Sequence, residues 1–157
     1  MRMSNFVIRD AIIPVLSSTT KEDVIRELVG SLHEAGYFRT GDVDDIIKSV
    51  LRREKLGSTG IGRSIAIPHS KHAGVDRLIG TLAISPNGIP FDSIDGEPVH
   101  IFVLLVSPQD RPGDHLRALE NVVRTMKDEA FVKSLKLAGS RDAVWDLLDE
   151  AQPPRDR

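Results

Sequence analysis

The chain contains no cysteine, which excludes disulfides and thiol catalysis and fits a reducing cytoplasm. It also lacks an excess of either charge. Lys plus Arg number 21 against 23 for Asp plus Glu, a formal net charge of −2, so no electrostatic argument favours a nucleic acid or an anionic membrane as partner. Long apolar runs are missing as well. The longest, Ile101 to Val106, is far too short to cross a bilayer. Arg9 and Asp10 interrupt the first one, Phe6 to Ile8, so no signal peptide is expected. Three functional signatures are absent. No G-x-x-x-x-G-K-[ST] string occurs, and Gly60-Ile61-Gly62 lacks the third glycine of a dinucleotide fingerprint and precedes a strand instead of following one. No G-x-S-x-G marks a serine-hydrolase elbow, so Ser70 beside His69 reads as an ordinary turn hydroxyl.

What is present is the pattern of one domain. The 157 residues suit a single core, expected over about 8–150 of a domain spanning 1–157, with a frayed tail at 151–157. Phe6-Val7-Ile8 and Ile12-Ile13 suggest an edge strand within residues 1–18. Thr19 with Glu22 reads as a capping box, opening a helix with the stripe Val24, Ile25, Leu28, Val29, Leu32 and ending at Gly36. Asp42 is the expected cap of a second helix striped by Val43, Ile46, Ile47, Val50 and Leu51 and closed by Arg52, Arg53 and Glu54. Strands are expected at about Ser64–Ile67, Leu78–Ser85 and Val99–Val106, the last apolar on consecutive positions as in a strand covered on both faces. Pro86-Asn87-Gly88-Ile89-Pro90 reads as a turn. After a loop over Ser107 to Gly113, three helices follow, the last capped by Ser140. Helices before, between and after apolar strands predict an α/β fold: a three-layer α/β/α sandwich with a mixed central sheet.

The segment richest in chemistry is Ser64-Ile65-Ala66-Ile67-Pro68-His69-Ser70, preceded by Gly57, Gly60 and Gly62. Proline donates nothing to a ladder, so strand pairing should stop at Pro68 and deliver His69 just past its end. A neutral imidazole there can act as a nucleophile near neutral pH. His69 and His72 also form H-x-x-H, but only Asp76 stands nearby, and this spacing on a turn has little metal specificity. Asp92 and Asp95 read as solvated loop carboxylates, His33 as structural or exposed, and His100 as a satisfied core histidine.

Arg53-Glu54-Lys55-Leu56-Gly57-Ser58-Thr59-Gly60-Ile61-Gly62, followed by Ile65-Ala66-Ile67-Pro68-His69, resembles the signature of type-2 EIIA domains. These belong to the bacterial phosphoenolpyruvate-dependent phosphotransferase system and include fructose/mannitol and nitrogen-regulatory branches. The resemblance continues through Ser107-Pro108 and His115-Leu116 to the Ser140 helix. It implies that His69 accepts a phosphoryl group on Nε2, with Nδ1–H held by a backbone carbonyl. By itself Arg53 reads as a helix-end arginine meeting water; the resemblance assigns it, with His115, to the phosphoryl group. Ser58 and Thr59 are implied donors or turn caps, and Glu54 is expected to orient Arg53 by an ion pair. Ser70 departs from the small residue common in the family, and Arg63 adds a charge where the family varies.

The implied donor is HPr or its nitrogen-branch counterpart. The implied recipient is a IIB component or a regulated target protein, with a slight lean to the nitrogen-regulatory branch. No segment of the chain reads as a IIB or IIC domain, so a separate cytoplasmic subunit is expected, without metal, organic cofactor, nucleic acid or membrane insertion. The competing readings are a sugar-specific IIA subunit and an interaction module that keeps the fold without turnover.

Overall fold

The strand over Val99–Ser107 organises the molecule, because its side chains are almost all buried and alternate between two cores. In the computed structural model, which describes residues 1–151, Phe102, Leu104 and Val106 point to one core and Ile101, Val103 and Leu105 to the other. This is the alternation a pleated strand imposes when helices cover both faces. Each fully buried side chain of this size contributes about 2 kcal/mol of apolar burial.

The elements run α1 (Lys21–Glu34), α2 (Val43–Leu56), β1 (Gly60–Gly62), β2 (Ile65–Ala66), β3 (His69–Lys71), β4 (Ile79–Ile89), β5 (Val99–Ser107), α3 (Pro112–Thr125), α4 (Glu129–Leu137) and α5 (Arg141–Glu150). Helices α1 and α2 pack through Val24, Ile25, Leu28, Ile46 and Val50 on the face carrying Phe102 and Leu104. Helices α3, α4 and α5 pack through Ala118, Val122, Leu135, Val144 and Leu148 on the face carrying Ile101 and Val103. The expected three-layer sandwich is therefore observed. Its sheet is mixed: β2 and β3 pair parallel with β5, while β4 pairs antiparallel with β5 and β1 antiparallel with β2. Among the described residues no helix is long and apolar enough to cross a membrane.

Several local expectations are corrected. The ladder does not stop at Pro68. Ile65 pairs with Ile101 and His69 with Leu105 in one unbroken register, because the proline carbonyl still accepts from Leu105 N at 3.0 Å. Proline removes a donor, not an acceptor, so β2 and β3 are two halves of one strand.

The turn expected at 86–90 lies inside β4 up to Ile89, with Pro90 just past the strand's end. Ile84 pairs with Ile101 and Ile89 with Val99, so the turn-forming residues are accommodated as a large bulge, with Gly88 at φ 77°. The N-terminal edge strand is replaced by two 3-10 turns (Met3–Asn5 and Arg9–Ala11) and single parallel bridges, Val7 to Gly80 and Ile13 to Ala83. The segment still covers the open edge of β4.

Helix α1 is capped by Thr20, whose Oγ1 accepts from Asp23 N, not by Thr19. Glu22 instead pairs with Arg26. Asp42 does stand at the start of α2 but makes no side-chain cap bond, since a 3-10 turn over Thr40–Asp42 leads in. That helix runs on past Glu54 to Leu56. His100 is only half-buried, and its Nδ1 has no partner among the described residues, so it is not a satisfied core histidine. Of the tail expected to fray at 151–157, all but Ala151 lies outside the described residues.

Candidate active site

Strand parity decides where each side chain of the β2–β3 segment goes. Ile65 and Ile67 face the α3 core, so His69 points the same way. Ser70 and the following His72 point to α2, where Ser70 Oγ meets Ser49 Oγ and His72 Nε2–H donates to Asp45 Oδ2 at 2.6 Å. The two histidines of the H-x-x-H string therefore meet different layers.

His69 is half-buried, and its Nδ1–H donates to the Ile67 carbonyl at 2.8 Å. Ile67 N already donates to Thr59 O at 3.0 Å, so the imidazole completes an edge that β1 leaves uncovered. Nε2 has no hydrogen-bond partner among the described residues. Burial pushes the His69 pKa below its usual 6.5, and the cations Arg53 and Lys71 act in the same direction against the Ile67 hydrogen bond and Glu54. The ring is thus neutral at neutral pH, with a lone pair on Nε2.

Across from it lies His115, in the first turn of α3, with ring centroids 5.3 Å apart and planes tilted by 60°. His115 is buried and its Nδ1 meets the hydroxyl of Ser107, the last residue of β5. Burial, then His69 and Lys71, depress its pKa to about 4. When the Ser107 hydroxyl donates, Nε2–H is left as the ring's free donor.

Arg53 approaches from the end of α2. Its Nη1 donates to Gly57 O at 2.7 Å, which anchors the guanidinium and leaves its other N–H groups available. Arg53, His69 and His115 line one open cleft of about 720 Å³, joined by Arg52, Lys55 and Lys71 and rimmed by Leu56 and Leu119. Cations line it and, among the described residues, no carboxylate does, which suits an anionic group. A larger groove of about 950 Å³ between α1 and the N-terminal segment mixes both charges and holds no histidine.

The other expected residues support the loop. Ser58 Oγ donates to Phe91 O at 2.6 Å and accepts from Gly60 N at 3.0 Å. Thr59 is buried, and its hydroxyl and N–H both donate to the Glu54 carboxylate. Glu54 does not pair with Arg53. It is buried and bonded to Lys21 Nζ at 3.1 Å, because adjacent helical residues point about 100° apart: Arg53 faces the cleft and Glu54 the interior. Asp92 is exposed and pairs with Lys21 at 3.3 Å. Asp95 accepts from Arg63 N at 3.1 Å.

Sequence reasoning quoted Ser107 only within the Ser107-Pro108 string and gave it no role, and it did not single out Lys71. The parity of β5, which sends Ser107 to the same side as Ile101, Val103 and Leu105, was the available signal for the first. Lys71 carries no pattern that separates it from any exposed lysine.

A family model described as "Phosphoenolpyruvate-dependent sugar phosphotransferase system, EIIA 2" matches residues 5–151. A nitrogen regulatory protein of Bradyrhizobium diazoefficiens is 34% identical over 155 residues, covering 98% of this chain and 97% of that protein. A fructose-specific EIIABC component of Bacillus subtilis is 32% identical over 150 residues, covering 96% of this chain but 23% of that protein. The crystal structure of nitrogen regulatory protein IIA-Ntr from Neisseria meningitidis superposes with a TM-score of 0.82 at 28% identity, covering 93% of this chain and 98% of that one.

Proposed function

The chain belongs to the type-2 EIIA family of the phosphoenolpyruvate-dependent sugar phosphotransferase system, and from that premise we propose that it carries a phosphoryl group on His69 Nε2. The observation that carries this reading is the meeting of His69, His115 and Arg53 at one cation-lined cleft, with Nδ1 of His69 already bonded. The Nε2 lone pair attacks the phosphorus of a phosphohistidine on an HPr-type donor. A new N–P bond forms as the donor's N–P bond breaks and its electron pair returns to the donor ring. The transition state is loose, so the protein's contribution is positioning and stabilisation of the equatorial oxygens. Arg53 offers a planar fork of donors. The Nε2–H of neutral His115, set by Ser107, offers another. Lys71 adds charge at the rim. Ser58, Thr59 and Glu54 act one step back by fixing the loop between Arg53 and β1.

The nitrogen-regulatory branch is favoured because the nitrogen regulatory relative is 34% identical against 32% for the fructose-specific component, and a nitrogen regulatory structure superposes at a TM-score of 0.82. The group then passes to a IIB component or sets which target protein the domain binds. We take residues 1–157 as a single domain acting in the cytoplasm. The test mixes the protein with phosphoenolpyruvate, Enzyme I and an HPr-type donor and follows the mass. One phosphoryl increment is expected, absent in His69→Ala. Labelling that persists in that variant overturns the site, and a native protein that no such donor labels overturns the carrier role.

A further inference from the structure

Helix α2 and the segment from β3 to His72 meet through two polar contacts that share one geometric rule. On the helix, Asp45, Ser49 and Arg53 are spaced by four and lie on one face. On the strand side, His72 and Ser70 are spaced by two and lie on one face. Asp45 bonds His72 and Ser49 bonds Ser70. Four helical residues advance about 6 Å and two strand residues about 6.6 Å, so the two rows stay in step. One further step along both rows brings Arg53 level with Pro68, beside His69. The strand side of the contact is itself anchored: His72 N donates to Ser107 O at 2.9 Å, and Gly74 N donates to His72 Nδ1 at 2.8 Å. The latter bond occupies Nδ1 as an acceptor and leaves Nε2–H for Asp45. The residue that orients His115 therefore also holds His72.

We propose that Asp45 and His72, with Ser49 and Ser70, form a clasp that locks α2 in register with β3 and so positions Arg53 against His69. Its catalytic consequence rests on the phosphocarrier reading; its structural consequence does not. Asp45 is the useful perturbation, because its side chain is 65% exposed and its truncation leaves the core intact.

In Asp45→Ala, phosphoryl uptake from an HPr-type donor should lose about tenfold in kcat, the order of a small misplacement, with KM unchanged within twofold. A second readout is the titration of His69 by NMR. The charged and titratable groups around its ring are Arg53 and Glu54 from α2, Lys71 from β3 and His115 from α3, with Arg52 and Lys55 of α2 lining the same cleft. A retreating α2 takes away Arg53 and Glu54 together, whose influences on the ring oppose each other, and it exposes the ring; burial is the largest cause holding the His69 midpoint down, so the midpoint rises. Loss of the Asp45 carboxylate by itself moves that midpoint down, so a rise separates repositioning from simple charge removal. His72→Gln, which keeps an N–H donor for Asp45, should retain activity that His72→Phe loses. A kcat within twofold of native, a His69 midpoint that stays or falls in Asp45→Ala, or equal impairment in both His72 variants overturns the clasp. If the native chain takes up no phosphoryl group, the carrier reading falls while the titration still decides the clasp.

Discussion

Acidification should strip stability from this protein through His115, and the amount follows from its setting. An unfolded histidine titrates near 6.5, whereas burial and the nearby His69 and Lys71 hold folded His115 at about 4. As pH falls, the unfolded chain takes up the proton first. The stabilisation is therefore complete above pH 6.5 and is lost progressively between 6.5 and 4. At 1.36 kcal/mol per pH unit, the upper bound is about 3 kcal/mol, and solvent at the open mouth of the cleft screens this to about 2 kcal/mol. His69 is displaced in the same direction, so the native protein alone does not isolate the contribution. Comparison with His115→Gln does, because His69 titrates in both. With an m-value of about 2 kcal/mol per molar urea, the native midpoint should fall about 1 M further than the variant's between pH 7 and 4.5. A gap between the two midpoints that stays constant across that range, within about 0.2 M, refutes a neutral buried His115.

Other expectations are as direct. The acid limb of phosphoryl uptake should have its midpoint below 6.5, since burial keeps His69 neutral to lower pH than a free imidazole; a midpoint at or above 6.5 contradicts this. The β1–β2 hairpin turns on Arg63 and Ser64, both with positive φ (57° and 73°), where Asn-Gly is preferred. Arg63→Asn with Ser64→Gly should raise stability by about 1 kcal/mol, and an unchanged or lower denaturation midpoint counts against the strain. At Gly80 an added Cβ would lie 2.6 Å from Leu104 O. Gly80→Ala should therefore cost about 3 kcal/mol and lower Tm by about 8 °C; a loss below 2 °C shows that β4 shifts freely.

The layers were readable because Ile101–Val106 is apolar without interruption and the helical stripes repeat at the right period. The cluster of His69, Arg53 and His115 was readable only through a motif, since its members come from three elements spread along the chain. What stayed hidden depended on partners that local pattern does not name. Pro68 looks like a terminator, yet its carbonyl serves the adjacent strand. Asn87-Gly88 looks like a turn, yet β5 continues past it and holds Ile89 in register. Glu54 beside Arg53 looks like an ion pair, yet helical rotation sends it to Lys21. His72 looked idle because Asp45 is distant in sequence and adjacent only once α2 has docked.

The carbonyl of Ile67 carries one more consequence. It sits two positions upstream of His69 within the same short segment, so the choice between the ring's nitrogens is made locally and owes nothing to the helices that complete the cleft. Regiochemistry and reactivity are thereby separable. Damage to the surrounding donors should slow the chemistry without changing which isomer of phosphohistidine accumulates, whatever donor supplied the group.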